Sequence, residues 1–277
     1  MSDDALERGT PPGSLRHYAV MYAPERARLM LSALYAYEAE IAETVWSSSH
    51  EVAHARVQWW RGEVDRLLGG QPTHPLTCAL RSLRELLGER LSLLHEPLVA
   101  ADIDLARMTF ANSSELEAYC FRASGSLQTL AAHASSADAV LSDAEREFAR
   151  RLGSAVRRTE LLRDLRGHLA AGRLPVPLDV LAGAGIDPLA LRPDTMTPAF
   201  GALLEAARQA LQLEFQDLAR GLDRASRTRQ RHGIVLAALH GRLLQQIAHG
   251  PELARRRAEV PGWTKLWTAW RAAFKAA

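Results

Sequence analysis

Apolar residues recur at three- and four-residue intervals through almost all of this 277-residue chain, and nowhere do they alternate with polar ones over a useful length. A 3.6-residue period turns one stripe of each segment toward a common core, whereas a half-buried strand needs a period of two. The expected fold class is therefore all-α, built as a helical bundle. With 47% of residues hydrophobic, the chain can fill one core of this size. No repeat or low-complexity linker divides it, so one helical domain over 15–277 is expected behind a polar, disordered tail at 1–14.

Local punctuation sets the expected helices. Pro24 and Glu25 open one that runs to about Trp46. Ser48 and Glu51 have capping-box spacing and open a second, which Gly69-Gly70 ends. A third spans Leu76 to about Leu94 and breaks near Pro97, and a fourth spans Ser114 to His133. Asp138 or Ser142 starts a long fifth helix through Leu165. After the proline- and glycine-rich stretch from Gly172 to Pro188, helices are expected near 197–223, 232–249 and 262–275.

Several function classes drop out early. The 34 basic and 32 acidic residues are interleaved and leave a net charge of +2, so no electrostatic footprint for nucleic acid is present. Cys78 and Cys120 are too few for a disulfide framework, and no Cys/His zinc spacing occurs, which suits a reducing compartment. The opening MSDDALERGTPPGS has no apolar signal-peptide core, and no apolar run approaches the ~20 residues of a membrane span. The expected location is cytoplasmic, either free or peripheral to the inner membrane.

Four local patterns carry chemistry. His50-Glu51-Val52-Ala53-His54 matches the H-E-x-x-H of zinc peptidases. The longer metal motif would want Gly and His where Val57 and Trp60 stand, and helix-start chemistry accounts for the segment. Glu160, Asp164 and His168 follow at intervals of four, so they share a helix face. They either form a rebuilt divalent-metal site with Glu40 or Glu43, or pair with Arg157, Arg163 and Arg166. Trp263, Trp267, Trp270 and Phe274, with Lys265, Arg271 and Lys275 among them, either pack the last helix onto the bundle or lie in a membrane interface. Arg224, Arg227, Arg229 and Arg231 form a basic run at a solvated helix end, or a site for an acidic partner or lipid.

Four segments in order resemble the squalene/phytoene synthase family. They are Ala33-Leu34-Tyr35-Ala36-Tyr37, Gln71-Pro72-Thr73-His74-Pro75, Tyr119-Cys120-Phe121-Arg122-Ala123-Ser124-Gly125, and Leu161-Leu162-Arg163-Asp164 with Gly172-Arg173-Leu174-Pro175. The resemblance implies an isoprenoid-synthase-type bundle with a central cavity, in which magnesium bridges prenyl diphosphates to aspartates on two facing helices. It places the two aspartates of the first helix at Ala42 and Trp46, and the arginine before them at Ala39. In the second helix Asp164 matches, but its partner position holds His168.

Three of four metal carboxylates are thus missing, and the expected protein is a non-catalytic relative. It would need no cofactor and would bind a prenyl or lipid ligand, or a protein partner, through Arg122, Arg163, Asp164, Arg173 and Tyr37. The competing expectation is an active prenyl diphosphate transferase, with magnesium held by Asp164, Glu160 and Glu43, or by Asp164, Glu160 and His168. Arg16-His17-Tyr18, Tyr22-Ala23-Pro24-Glu25-Arg26, Tyr37-Glu38-Ala39-Glu40-Ile41-Ala42 and Arg56-Val57-Gln58-Trp59-Trp60 further resemble one divergent branch of the family. Its eukaryotic member is a mitochondrial complex I assembly factor thought to act without prenyl transfer.

Overall fold

Ser142 accepts a hydrogen bond from the Glu145 amide, and the Glu145 carboxylate accepts one from the Ser142 amide. This reciprocal cap satisfies two otherwise orphaned donors and starts one of the two longest helices, Asp143–Arg163. The other, Glu25–Val45, follows Pro24. A computed structural model describes residues 6–47, 49–136, 140–193, 197–247 and 257–276, and among these the chain is helical with no β-strand.

In chain order the helices are α1 (Leu15–Met21), α2 (Glu25–Val45), α3 (His50–Leu68), α4 (Pro75–Ala79), α5 (Arg81–Leu87), α6 (Glu96–Leu105), α7 (Ser113–Cys120), α8 (Ser126–Ser136), α9 (Asp143–Arg163), α10 (Leu165–Ala170), α11 (Leu178–Gly183), α12 (Pro198–Asp217), α13 (Arg224–Arg229), α14 (Arg231–Gln246) and α15 (Gly262–Lys275). Ala33, Leu34, Tyr35, Ala36 and Tyr37 are buried consecutively, so the middle of α2 is enclosed on every side, while its two ends reach the surface at Leu29 and Glu43. The main core joins it to α3, α8, α9 and α14, and a smaller core gathers Leu165, Val176, Leu181, Leu191, Phe200 and Leu204 around the proline-rich stretch.

The element boundaries depart from the sequence expectation in instructive places. The cap of α3 is Ser49, whose hydroxyl accepts from the Val52 amide, so no Glu stands at the capping-box position; Ser48 lies outside the described residues, as does Asp138. The expected third helix is three pieces: α4, α5 and a 3₁₀ segment at Gly88–His95. Pro97 does not break a helix but sits in the first turn of α6, where the missing N–H is harmless.

The expected fourth helix contains a π turn at Phe121–Gly125. That turn meets α9 backbone to backbone: a Cβ on Gly153 would lie 2.4 Å from the Gly125 Cα, so only glycine fits the crossing. The expected fifth helix bends at Asp164, with α10 resuming at Leu165. Residues 6–14, expected as part of a tail, pack onto the bundle: Gly9 abuts the Tyr35–Ala36 backbone, Arg8 pairs with Glu40 at 2.8 Å, and Lys265 Nζ donates to the Gly13 carbonyl at 2.9 Å.

Candidate functional site

A cavity of about 320 Å³ opens between the second half of α2 and the end of α9, with α1 and α6 at its sides. The volume lies at the lower edge of the roughly 300–1,000 Å³ usual for small-molecule sites, enough for one ligand. From α2 come Glu38, Ala42 and Trp46, one turn apart on a single face. From α9 and α10 come Arg157, Glu160, Arg163, Asp164 and His168; α1 contributes Arg16, α6 contributes Asp104, and Arg257 closes over Asp164.

Every carboxylate in this cavity faces an arginine. Arg16 Nη2 lies 2.8 Å from Glu38 Oε2 and 3.1 Å from Glu160 Oε1. Arg157 lies 3.4 Å from Asp104 and donates to the Tyr119 hydroxyl, which itself donates to Asp104 at 2.9 Å. Asp164 is clamped by Arg163 at 2.5 Å and by Arg257 at 2.7 Å. Burial pushes the Asp164 carboxyl up, but the two guanidiniums outweigh it and hold the group below its ordinary range. Glu160 behaves alike, with Arg16 and Arg163 overcoming burial. For Glu38 burial prevails over Arg16, and the nearby Glu160 charge adds to the rise.

Trp46 stands where the family resemblance places a metal-binding aspartate. The Arg173 guanidinium lies 3.9 Å from the Trp46 ring centroid, a cation–π contact, and the His168 ring packs against the same indole at 5.3 Å. Burial, with Arg157 and Arg173 beside it, pushes His168 down to about 3, so its imidazole is neutral at ordinary pH.

Magnesium requires several oxygen ligands in octahedral array. Among the described residues no group of three or more His, Cys, Asp or Glu side chains converges on a point. Asp164 and Glu160 already serve guanidiniums, and an indole fills the facing position. The donor set does not fit the ion. It is better suited to an anion, since the guanidinium groups of Arg16, Arg157, Arg163 and Arg257 all line the cavity.

The residues expected to form the site divide into two groups. Glu160, Arg163, Asp164 and His168 line the cavity together, and Arg173 borders it behind Trp46. Arg122 leaves for Glu96, at 2.6 Å. Tyr37 is buried in the core, its hydroxyl donating to the Leu94 carbonyl at 2.7 Å. Glu43 points to solvent, and Glu40 pairs with Arg8 and Arg56.

The cavity acid that α2 does supply is Glu38, which sequence reasoning missed. Its spacing could have found it, because Glu38 precedes Ala42 by one turn, while Glu40 and Glu43 lie on other faces at ~100° per residue. Arg16 and Arg257 come from distant segments and carry no local signal. The H-E-x-x-H histidines do meet, with His50 and His54 Nε2 atoms 3.0 Å apart on an exposed face, but no third ligand joins them among the described residues.

The sequence model of the squalene/phytoene synthase family matches residues 12–264. A phytoene synthase of Thermus thermophilus is 28% identical over 164 residues, which are 58% of this chain and 55% of that protein, so the match spans about half of the relative's length. A solved dehydrosqualene synthase in complex with ligand superposes with a TM-score of 0.78 at 15% identity, covering 94% of this chain and 90% of its own. Squalene synthase HpnC from Alicyclobacillus acidocaldarius gives 0.69 at 17% identity, covering 88% and 93%. At these identities the structural likeness establishes the fold, the isoprenoid synthase bundle.

Proposed function

The chain belongs to the squalene/phytoene synthase family, and we propose that it is a member without prenyl-transfer chemistry, which uses its cavity to hold one prenyl or lipid anion. One observation carries this: the guanidinium–carboxylate network and Trp46 take up the positions from which two carboxylate pairs would have to grip magnesium. Ionising a diphosphate needs charge withdrawn from the leaving group, and without an ion a fixed guanidinium set binds an anion in its ground state. The guanidiniums of Arg16, Arg157, Arg163 and Arg257 line the site and supply charge and donors, while Ala39, Ala42, Val45 and Ala101 offer apolar wall to a chain. Likeness of the first segments to the assembly-factor branch supports the same non-catalytic role.

The test combines turnover with binding. Purified protein incubated with Mg²⁺ and farnesyl or geranylgeranyl diphosphate is expected to yield no coupled hydrocarbon, and calorimetry is expected to show one-to-one binding unchanged by EDTA. Arg16→Met should weaken that binding about tenfold or more, as loss of a charged hydrogen bond does. The triple variant Ala42→Asp/Trp46→Asp/His168→Asp should acquire diphosphate-dependent Mg²⁺ binding that the natural protein lacks. Appearance of coupled product, or binding abolished by EDTA, would overturn the proposal in favour of an active transferase.

A further inference from the structure

The last helix presents its aromatic residues outward, contrary to the packing role that its periodicity also allowed. Trp263, Leu266, Trp267, Trp270 and Phe274 are 76, 52, 53, 48 and 73% exposed, while Ala269 and Ala273 form the buried face. At ~100° per residue, the five exposed side chains fall within an arc of about 100°. Their rings form a continuous ladder, Trp267 stacked on Trp270 at 5.0 Å and Trp270 on Phe274 at 5.9 Å. A contiguous patch of this kind differs from the singly scattered apolar residues of an ordinary surface.

Beside the ladder runs a groove of about 310 Å³ between α12, α14 and α15. Arg242, Arg271 and Lys275 line it, and among its described lining residues none is acidic. An apolar stripe flanked by a purely cationic groove is the cross-section of a helix lying in a bilayer interface, with indoles at the depth of the headgroups and cations at the phosphates. No helix among the described residues is long and apolar enough to cross a membrane, so contact in the plane is the mode the helix permits.

We propose that the outer face of α15 docks on an anionic lipid bilayer, whatever the cavity holds. A second copy of the chain is a poorer occupant. An antiparallel two-fold pairing of α15 through this patch would bring the cationic grooves of both copies together, and like charges oppose such pairing.

The test uses the full chain and vesicles of phosphatidylcholine alone, or with about one-third phosphatidylglycerol. The protein should float with the anionic vesicles, its tryptophan emission should shift to the blue, and partitioning should fall at least tenfold in high salt. Trp263→Ser/Trp267→Ser/Trp270→Ser should lose partitioning at least tenfold while keeping its melting temperature. Arg271→Glu/Lys275→Glu should lose the preference for anionic lipid without losing the fold.

A natural protein that stays unbound on anionic vesicles overturns the proposal, as does a triple variant that binds equally well. Light scattering that finds a dimer split by the triple variant assigns the face instead to a second copy. Equal binding to both vesicle types removes the role given to the groove.

Discussion

Glu63 shows how far one side chain can organise a segment. Its fully buried carboxylate accepts from the Thr73 and His74 amides at 2.7 Å each, from the Thr73 and Thr77 hydroxyls, and from Arg66 Nε at 2.7 Å, fixing the turn that ends in His74-Pro75. Burial pushes its pKa up, but the hydrogen bonds more than offset that and bring it from 4.5 to about 2. A folded-state pKa below the unfolded one stabilises above pH 4.5, and the contribution disappears as pH falls from 4.5 toward 2. The shift corresponds to roughly 3 kcal/mol. Glu63→Gln is therefore expected to lower unfolding free energy in urea by about that much at pH 7, with a smaller difference from the natural protein at pH 3. An equal difference at both pH values would show that the charge is not what matters. Sequence marked the Gln71–Pro75 turn through its prolines, but Glu63 sits mid-helix, where nothing local distinguishes it from a solvated glutamate.

Elements fail or hold at their crossings. The π turn and α9 approach so closely that Gly153 and Gly125 touch through backbone atoms. Gly153→Ala should raise intrinsic helix propensity by about 1 kcal/mol, yet here it forces two backbones apart. Overpacking outweighs the propensity gain, and a net loss of about 2 kcal/mol is expected, read as a lower urea midpoint. A stabilised variant would mean that the crossing has slack. Periodicity found one helix from Ser114 to His133, but not the π turn within it, because the turn inserts a residue without disturbing the apolar pattern on either side. Similarly, Pro97 marked a boundary correctly and its direction wrongly, since proline is as much at home at the start of a helix as beyond its end.

At the scale of the molecule, two buried histidines set an acid limit distinct from that of Glu63. His232 lies between the Tyr35 hydroxyl at 3.1 Å and the Ser135 hydroxyl at 3.3 Å, and His240 bonds the Leu236 carbonyl at 3.0 Å behind the cavity. Burial pushes both down from 6.5 to about 4. Below pH 6.5 the unfolded chain takes up protons that the folded one refuses, so stability is complete above that pH and falls between 6.5 and 4. The full loss is about 3 kcal/mol for each histidine below pH 4, and about 2 kcal/mol of it is reached by pH 5. Urea titrations at pH 7 and pH 5 should show it, and equal midpoints would place the two imidazoles in contact with water.

The sequence by itself determined the helical class, the single bundle, the family scaffold and the three missing carboxylates, because periodicity and motif residues are local properties of the chain. It also placed Glu160, Asp164 and His168 on one face, where they are found together. Only the tertiary structure decided what those residues meet. Arg16 and Arg257 arrive from opposite ends of the chain to neutralise Glu160 and Asp164, Arg122 turns away to Glu96, and the tryptophans of α15 face outward while alanines face in. A spacing of four gives a helix its stripes, but which stripe is buried and which charge is answered depend on neighbours as far as 144 residues away in the chain.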